Sequence, residues 1–172
     1  RIALEDTGAS ESRLDKITRL VRESKFSIHD MSRVGLSSGP KPVPRFNMPF
    51  ECGLAFGSMR YGRNQDRDLL VVVSEPFQDK KSISDLAGID PGYYKGSPEI
   101  LVAVVRKFLA AKHPSGTTAV IGATAIYKRY ELFKQGLPPV AKALGFSVKE
   151  LTSLSYVAEW LDLATAWMIE HE

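Results

Sequence analysis

The chain has 172 residues, of which 44% are hydrophobic and 25% charged, and a formal net charge of +3 at pH 7. This is an ordinary globular composition, long enough for one domain or for a domain with a modest addition. The charge is too small and too scattered to indicate nucleic-acid binding. No apolar run reaches the roughly 18 residues of a transmembrane helix. The single cysteine excludes an internal disulfide and favours a reducing cytoplasm.

The first part of the chain alternates strand and helix signals. RIALE at residues 1–5 is typical of a short strand that ends at Glu5 and Asp6. Because the chain begins inside this strand, we expect the first element or two to be absent. Apolar residues at helical spacing follow a capping-box-like Ser12–Asp15 pair and predict an amphipathic helix. KFSIHD at 25–30 alternates as a strand does.

A loop, two helices and a buried strand are predicted next. The glycine- and proline-rich residues 34–46 predict a loop, and Pro49 predicts the start of a helix that runs to Tyr61. DLLVVVSEP at 68–76 is typical of a central parallel strand covered on both faces. Ser97-Pro98 begins an apolar helix. Strand–helix alternation predicts a doubly wound parallel α/β sheet over residues 1–113.

Residues 117–172 carry only helical signals and predict a helical C-terminal extension. GATAIYKRYELFKQ and KELTSLSYVAEWLDLATAWMIEH have helical periodicity, and GLPPVAKALGFS is interpreted as the segment that joins them. Several apolar side chains of the last helix should pack against another helix, the α/β body or a second subunit, since they are too apolar to leave solvated. They are Val157, Trp160, Leu161, Ala164, Trp167 and Met168.

Polar residues cluster where the predicted strands end. Ligands of open parallel sheets bind beyond the carboxyl ends of the strands. Besides Glu5 and Asp6, the chain offers there Asp30, Ser32, Arg33, Arg45, Asn47, Glu51 and Ser74. We expect the Ser74 end of the central strand to lie near Asp30. None of these residues has the spacing of a metal site, and no metal is predicted.

Glu51 is expected in the first turn of its helix, where free backbone N–H groups favour an ionised carboxylate. Phe50, Gly53, Leu54 and Gly57 would share one helix face, so that the helix packs closely on the sheet through its glycines. A glutamate at a helix start is also common for electrostatic reasons alone. The surrounding pattern has to decide between the two interpretations.

That pattern resembles a known group of proteins. DMSR at 30–33, a loop, and NMPFECGLA at 47–55 are similar to segments of nucleoside deoxyribosyltransferases and of bacterial TIR-like nucleotide-binding proteins. The resemblance is greatest to a TIR-like subgroup with a helical C-terminal extension. By the order of elements it covers about residues 1–110, and only the stretch from Asp30 to Ala55 is specific.

The resemblance implies cleavage of an N-glycosidic bond, with NAD or a related nucleotide as substrate and no further cofactor. Glu51 would attack the anomeric carbon or stabilise an oxocarbenium-like ribose, and no strong general acid is needed because the nicotinamide of NAD is already cationic. Asp30, the second catalytic candidate, and Asn47 would orient the sugar hydroxyls. Arg33 or Arg45 would bind a phosphate through two hydrogen bonds.

Several alternatives remain open. The first is that the protein is an N-glycosidase, for example a toxic effector in phage defence. The second is a non-catalytic nucleotide sensor that signals through its helical extension. Self-association as a scaffold is a third possibility, and a homo-oligomer would form through the extension. His29 and Cys52 are interpreted as structural residues, the latter because no histidine is spaced near it. Tyr94 either packs in its loop or stacks on a base.

Overall fold

The computed structural model describes residues 11–34, 41, 45–63, 66–76, 89–113 and 119–171. The strand predicted at residues 1–5, with Glu5 and Asp6, lies outside these ranges. The chain divides into two compact units. An α/β unit covers Ile17–Ala123, and a second, mainly helical unit groups Thr124–Glu172 with Arg1–Lys16.

The α/β unit is built on a three-stranded parallel sheet with the order β1-β2-β3. Its elements are α1 (Arg13–Glu23) from Ile17 onward, β1 (Phe26–Asp30), α2 (Asn47–Tyr61), β2 (Asp68–Val73), β3 (Gly92–Tyr93) and α3 (Pro98–Ala111). Phe26 pairs with Asp68 and Asp30 with Val72 along β1 and β2. The predicted parallel pairing of these two strands is confirmed, and β2 is central among the described strands.

Helices cover both faces of this sheet. On one face Met31, Leu69, Val71 and Val73 are buried with Cys52 and Ala55 of α2. On the other face Phe108 of α3 packs edge-on against Phe26, with ring centroids 5.8 Å apart. Gly92 brings α3 close to β3, since a Cβ there would overlap Val104 Cγ1. The two-sided covering explains why β2 is a continuous apolar run.

Two predictions about α2 are wrong. The helix begins at Asn47, two residues before the predicted start, so that no acidic residue lies in its first turn and Glu51 lies in the second. Pro49 fits because the N–H groups of a first turn have no partner inside the helix. The helix also approaches the sheet through Cys52 and Ala55, whereas an added Cβ on Gly53 would meet nothing within 4 Å.

Replacing Gly53 by alanine should therefore stabilise the protein. The position is an exposed helix interior with open space around it, where alanine is about 0.5–1 kcal/mol better than glycine. Gly92→Ala is the matched comparison, and its overlap with Val104 should cost about 1–3 kcal/mol. Chemical denaturation of both variants measures the difference. A loss of stability in Gly53→Ala would instead support the prediction that Gly53 packs closely against the sheet.

The helical unit differs from the prediction in two ways: the first predicted helix continues through most of the predicted joining segment, and the second is divided into three shorter elements. Helix α4 (Ala123–Ala143) continues through Pro138 and Pro139. Each proline removes one backbone hydrogen bond, and both proline side chains are exposed. The buried side chains of Phe133, Leu137 and Ala141 follow one another at intervals of four residues and so form a stripe along one face of the helix. Burial of that stripe outweighs the lost bonds. The segment GLPPVAKALGFS is therefore mainly helix.

Three shorter elements complete the helical unit. They are α5 (Val148–Leu151), a 3₁₀ turn (Leu154–Tyr156) and α6 (Val157–Glu170). A capping box starts α5, in which the Ser147 hydroxyl accepts from the N–H of Glu150 and the Glu150 carboxylate accepts from the N–H of Ser147. None of the described helices is long and apolar enough to cross a membrane.

The apolar face predicted for the last helix does pack against another helix. Phe133 of α4 lies edge-on to Trp160 and Trp167, with centroid distances of 5.6 and 5.8 Å, and Leu151 is fully buried beside them. Both tryptophans are half-buried, which agrees with the prediction that they pack against another element. Met168 differs, because 51% of its surface remains exposed.

Candidate functional site

The carboxyl ends of the three strands meet at one edge of the sheet. β1 ends at Asp30, β2 at Val73 just before Ser74, and β3 at Tyr93 just before Tyr94. The ends are joined by backbone hydrogen bonds: the N–H of Met31 donates to Val72 O at 2.9 Å, and that of Tyr94 to Val73 O at 3.1 Å. The predicted proximity of Asp30 and Ser74 is confirmed.

Four residues form a hydrogen-bonded cluster at this edge, which we call the Asp30 cluster: Asp30, Ser32, Ser74 and Tyr94. Asp30 Oδ1 accepts from the N–H of Ser32 at 2.9 Å, and Oδ2 accepts from the Tyr94 hydroxyl at 3.1 Å. The Ser32 hydroxyl lies 3.0 Å from the Tyr94 oxygen and accepts from the N–H of Ser74 at 2.7 Å. The Asp30 carboxylate is held at both oxygens yet remains exposed.

Sequence reasoning did not place Tyr94 in this cluster. It follows the two-residue strand β3, which is too short for periodicity to detect. Its carbonyl accepts from the N–H of Ser97 at 2.9 Å across a turn whose central residues, Lys95 and Gly96, have φ of 54° and 67°. Two positive φ values are typical of a type I′ turn. The signal that could have found it is Lys-Gly directly before the Ser97-Pro98 helix start.

The remaining candidates lie outside the Asp30 cluster. Since α2 connects the parallel strands β1 and β2, it must begin at the carboxyl edge, which brings Asn47 and Glu51 to the same side of the sheet. Glu51 is half-buried, whereas Asn47 is exposed. Arg33 and Arg45 are exposed on the loop between β1 and α2. The candidates on this side of the sheet thus include two carboxylates, in different settings, and two exposed guanidinium groups.

The other reactive side chains nearby, His29 and Cys52, were predicted to be structural, and both are buried. His29 is 6% exposed, its Nε2 lies 3.1 Å from Ser27 Oγ, and burial lowers its pKa. Cys52 is fully buried, and burial raises the pKa of its thiol to about 11, so the nucleophilic thiolate is scarce at neutral pH. Over the described ranges no group of three or more His, Cys, Asp or Glu is arranged to hold a metal ion.

Comparison with family models, with curated proteins and with solved structures finds no match for this chain. The resemblance to TIR-like proteins and deoxyribosyltransferases therefore depends on the sequence pattern at 30–55 and on the order of the elements. The resemblance can be tested against the chemical groups at this edge. It offers an oriented carboxylate, a second carboxylate on a helix and polar groups suited to a hydroxylated, anionic ligand.

Proposed function

We propose that the α/β unit, with a flavodoxin-like, TIR-like fold, is a cytoplasmic hydrolase that cleaves the base–ribose bond of NAD or a related nucleotide. One observation carries the proposal: Asp30, at the carboxyl edge of a parallel sheet, is oriented by hydrogen bonds to both oxygens and is still open to solvent. Ligands of such sheets bind at this edge. A fixed, accessible carboxylate there is suited to accept hydrogen bonds from sugar hydroxyls.

The proposed reaction needs one further carboxylate. The C1′–N bond of NAD breaks, its electron pair leaves with nicotinamide, and an oxocarbenium-like ribose is left behind. The negative charge of Glu51 stabilises this cation, water adds to C1′, and a proton is released to solvent. The products are nicotinamide and ADP-ribose. Glu51 does not need the first-turn position for this role, because the carboxylate acts on the substrate's charge.

The other predicted residues have different roles in this proposal. Asn47 bonds a ribose hydroxyl, and Arg33 or Arg45 binds the phosphates as exposed cations. The Ser32 hydroxyl accepts from the backbone N–H of Ser74, which favours a role for Ser32 in holding the edge together over direct contact with substrate, whereas the Ser74 side chain keeps its predicted role in substrate binding. We also propose that the reaction serves in defence against phage, with this protein as the effector.

A nucleotide sensor is the second candidate. The separate helical unit favours it, since Leu154 and Ile169 expose 73% and 69% of their surface there and offer an apolar contact for a partner or for a second copy. In that case the nucleotide binds at the same edge and is released unchanged. The two candidates differ only in whether the glycosidic bond is broken.

Incubation with NAD, and separately with 2′-deoxyadenosine, distinguishes the candidates. We expect nicotinamide to be released from NAD at a rate proportional to protein concentration, measured by chromatography. Heat-denatured protein is the control. Binding of NAD without release of either base would favour the sensor. Neither binding nor release would contradict both candidates.

A further inference from the structure

We infer that Tyr94 is a positioning residue, which orients the Asp30 carboxylate toward the ribose of the substrate. The inference rests on the proposed function and deepens it. Tyr94 is 64 residues from Asp30 in the chain and is bonded to it through the side chain. It lies at the same sheet edge, but its hydroxyl is committed to Asp30 and Ser32, so it acts through them.

The hydrogen bonds of the Asp30 cluster run in one direction. The N–H of Ser74 can only donate, and it donates to Ser32 Oγ. Tyr94 has one hydroxyl proton, and an ionised Asp30 can only accept it. The Ser32 hydroxyl therefore donates across its 3.0 Å contact to the Tyr94 oxygen. A chain of donors leads from the backbone of β2 to Asp30 Oδ2, and each bond in it polarises the next.

Tyr94 is well suited to this role because its own backbone is fixed. Its N–H and C=O are both hydrogen-bonded, to Val73 and Ser97, and its side chain is half-buried. Fixing the donor fixes the rotation of the carboxylate, which Ser32 alone would hold only at Oδ1. Each carboxylate oxygen keeps an acceptor position for a substrate hydroxyl. A reacting group held in this way loses less freedom when substrate binds.

A double-mutant cycle tests this role. The variants are Tyr94→Phe, Asp30→Asn and the double variant, with Tyr61→Phe as control, because Tyr61 is 91% exposed at the end of α2. The measured quantity is the dissociation constant of ADP-ribose by calorimetry. Tyr94→Phe should weaken binding about tenfold, as expected for a lost hydrogen bond to a charged group. The double variant should bind as Asp30→Asn does, because Tyr94 acts through Asp30.

A second readout needs no ligand. The amide of Ser32 donates to Asp30 Oδ1, so its hydrogen exchange, followed by NMR, should accelerate in Tyr94→Phe and not in Tyr61→Phe. Additive effects of the two substitutions on the dissociation constant would overturn the inference. The proposed function would still stand in that case if the wild type releases nicotinamide from NAD. If the wild type binds neither NAD nor ADP-ribose, the proposed function fails, and the Ser32 amide alone decides whether Tyr94 orients Asp30.

Discussion

Glu51→Gln should lower the rate of nicotinamide release by about a hundredfold or more, because the amide keeps the shape of the side chain but removes the charge that, in the proposed mechanism, stabilises the cationic transition state. The effect should appear in kcat more than in KM, since that charge matters most when the ribose becomes cationic. Release of nicotinamide by wild type and variant at saturating NAD measures it.

Folding should hardly change in Glu51→Gln. Glutamine keeps the shape and the hydrogen-bonding capacity of the side chain, and the macrodipole effect fades within the first helical turn whereas Glu51 lies in the second. The change in unfolding free energy should therefore stay below about 1 kcal/mol. Glu159→Gln is the matched control, an exposed glutamate in the first turn of α6, and should leave release unchanged. Equal turnover by Glu51→Gln and wild type would remove Glu51 from the mechanism.

The sequence predicts the parallel pairing of β1 and β2 because each strand leaves a distinct pattern. Alternation of Phe26 and Ile28 with polar neighbours marks a strand, and the apolar run 69–73 marks one that is covered on both faces. Parallel order then follows from the intervening helix α2. Their carboxyl ends must consequently lie together, and this is why Asp30 and Ser74 could be placed at one edge in advance.

The errors arise where local signals are weak or compete with packing. β3 has two residues and owes its existence to backbone pairing with β2, which no local pattern encodes. Pro138-Pro139 is a strong local signal for a helix end, but the buried stripe Phe133–Leu137–Ala141 overrides it. Glycines at 53 and 57 suggested close packing, whereas small residues of another type, Cys52 and Ala55, provide it.

The candidate site was predictable in its location and only partly in its composition. The positions of Asp30, Ser32 and Ser74 follow from strand ends, which sequence patterns reveal. Tyr94 joins them through a contact between residues that are 62 to 64 apart, and such contacts depend on the register of β3. The register of so short a strand cannot be predicted from a single sequence.

Phe133→Ala should destabilise the helical unit by about 3–5 kcal/mol, the usual cost of removing a buried phenylalanine. Phe133 is 7% exposed and lies edge-on against two tryptophans, so that its removal leaves a cavity and breaks two aromatic contacts. The chain has only two tryptophans, and both belong to this cluster. Tryptophan fluorescence during urea denaturation therefore reports on the helical unit.

Leu132→Ala is the matched control for that experiment. Leu132 is the neighbouring residue on α4 but is 57% exposed, so its loss should change stability by less than about 1 kcal/mol. A large difference between the two variants, at similar dependence of free energy on urea, means that the α4–α6 packing stabilises this unit. Equal transitions in the two variants would instead mean that the aromatic cluster contributes little, and the half-buried tryptophans would then be better explained as a surface awaiting a partner.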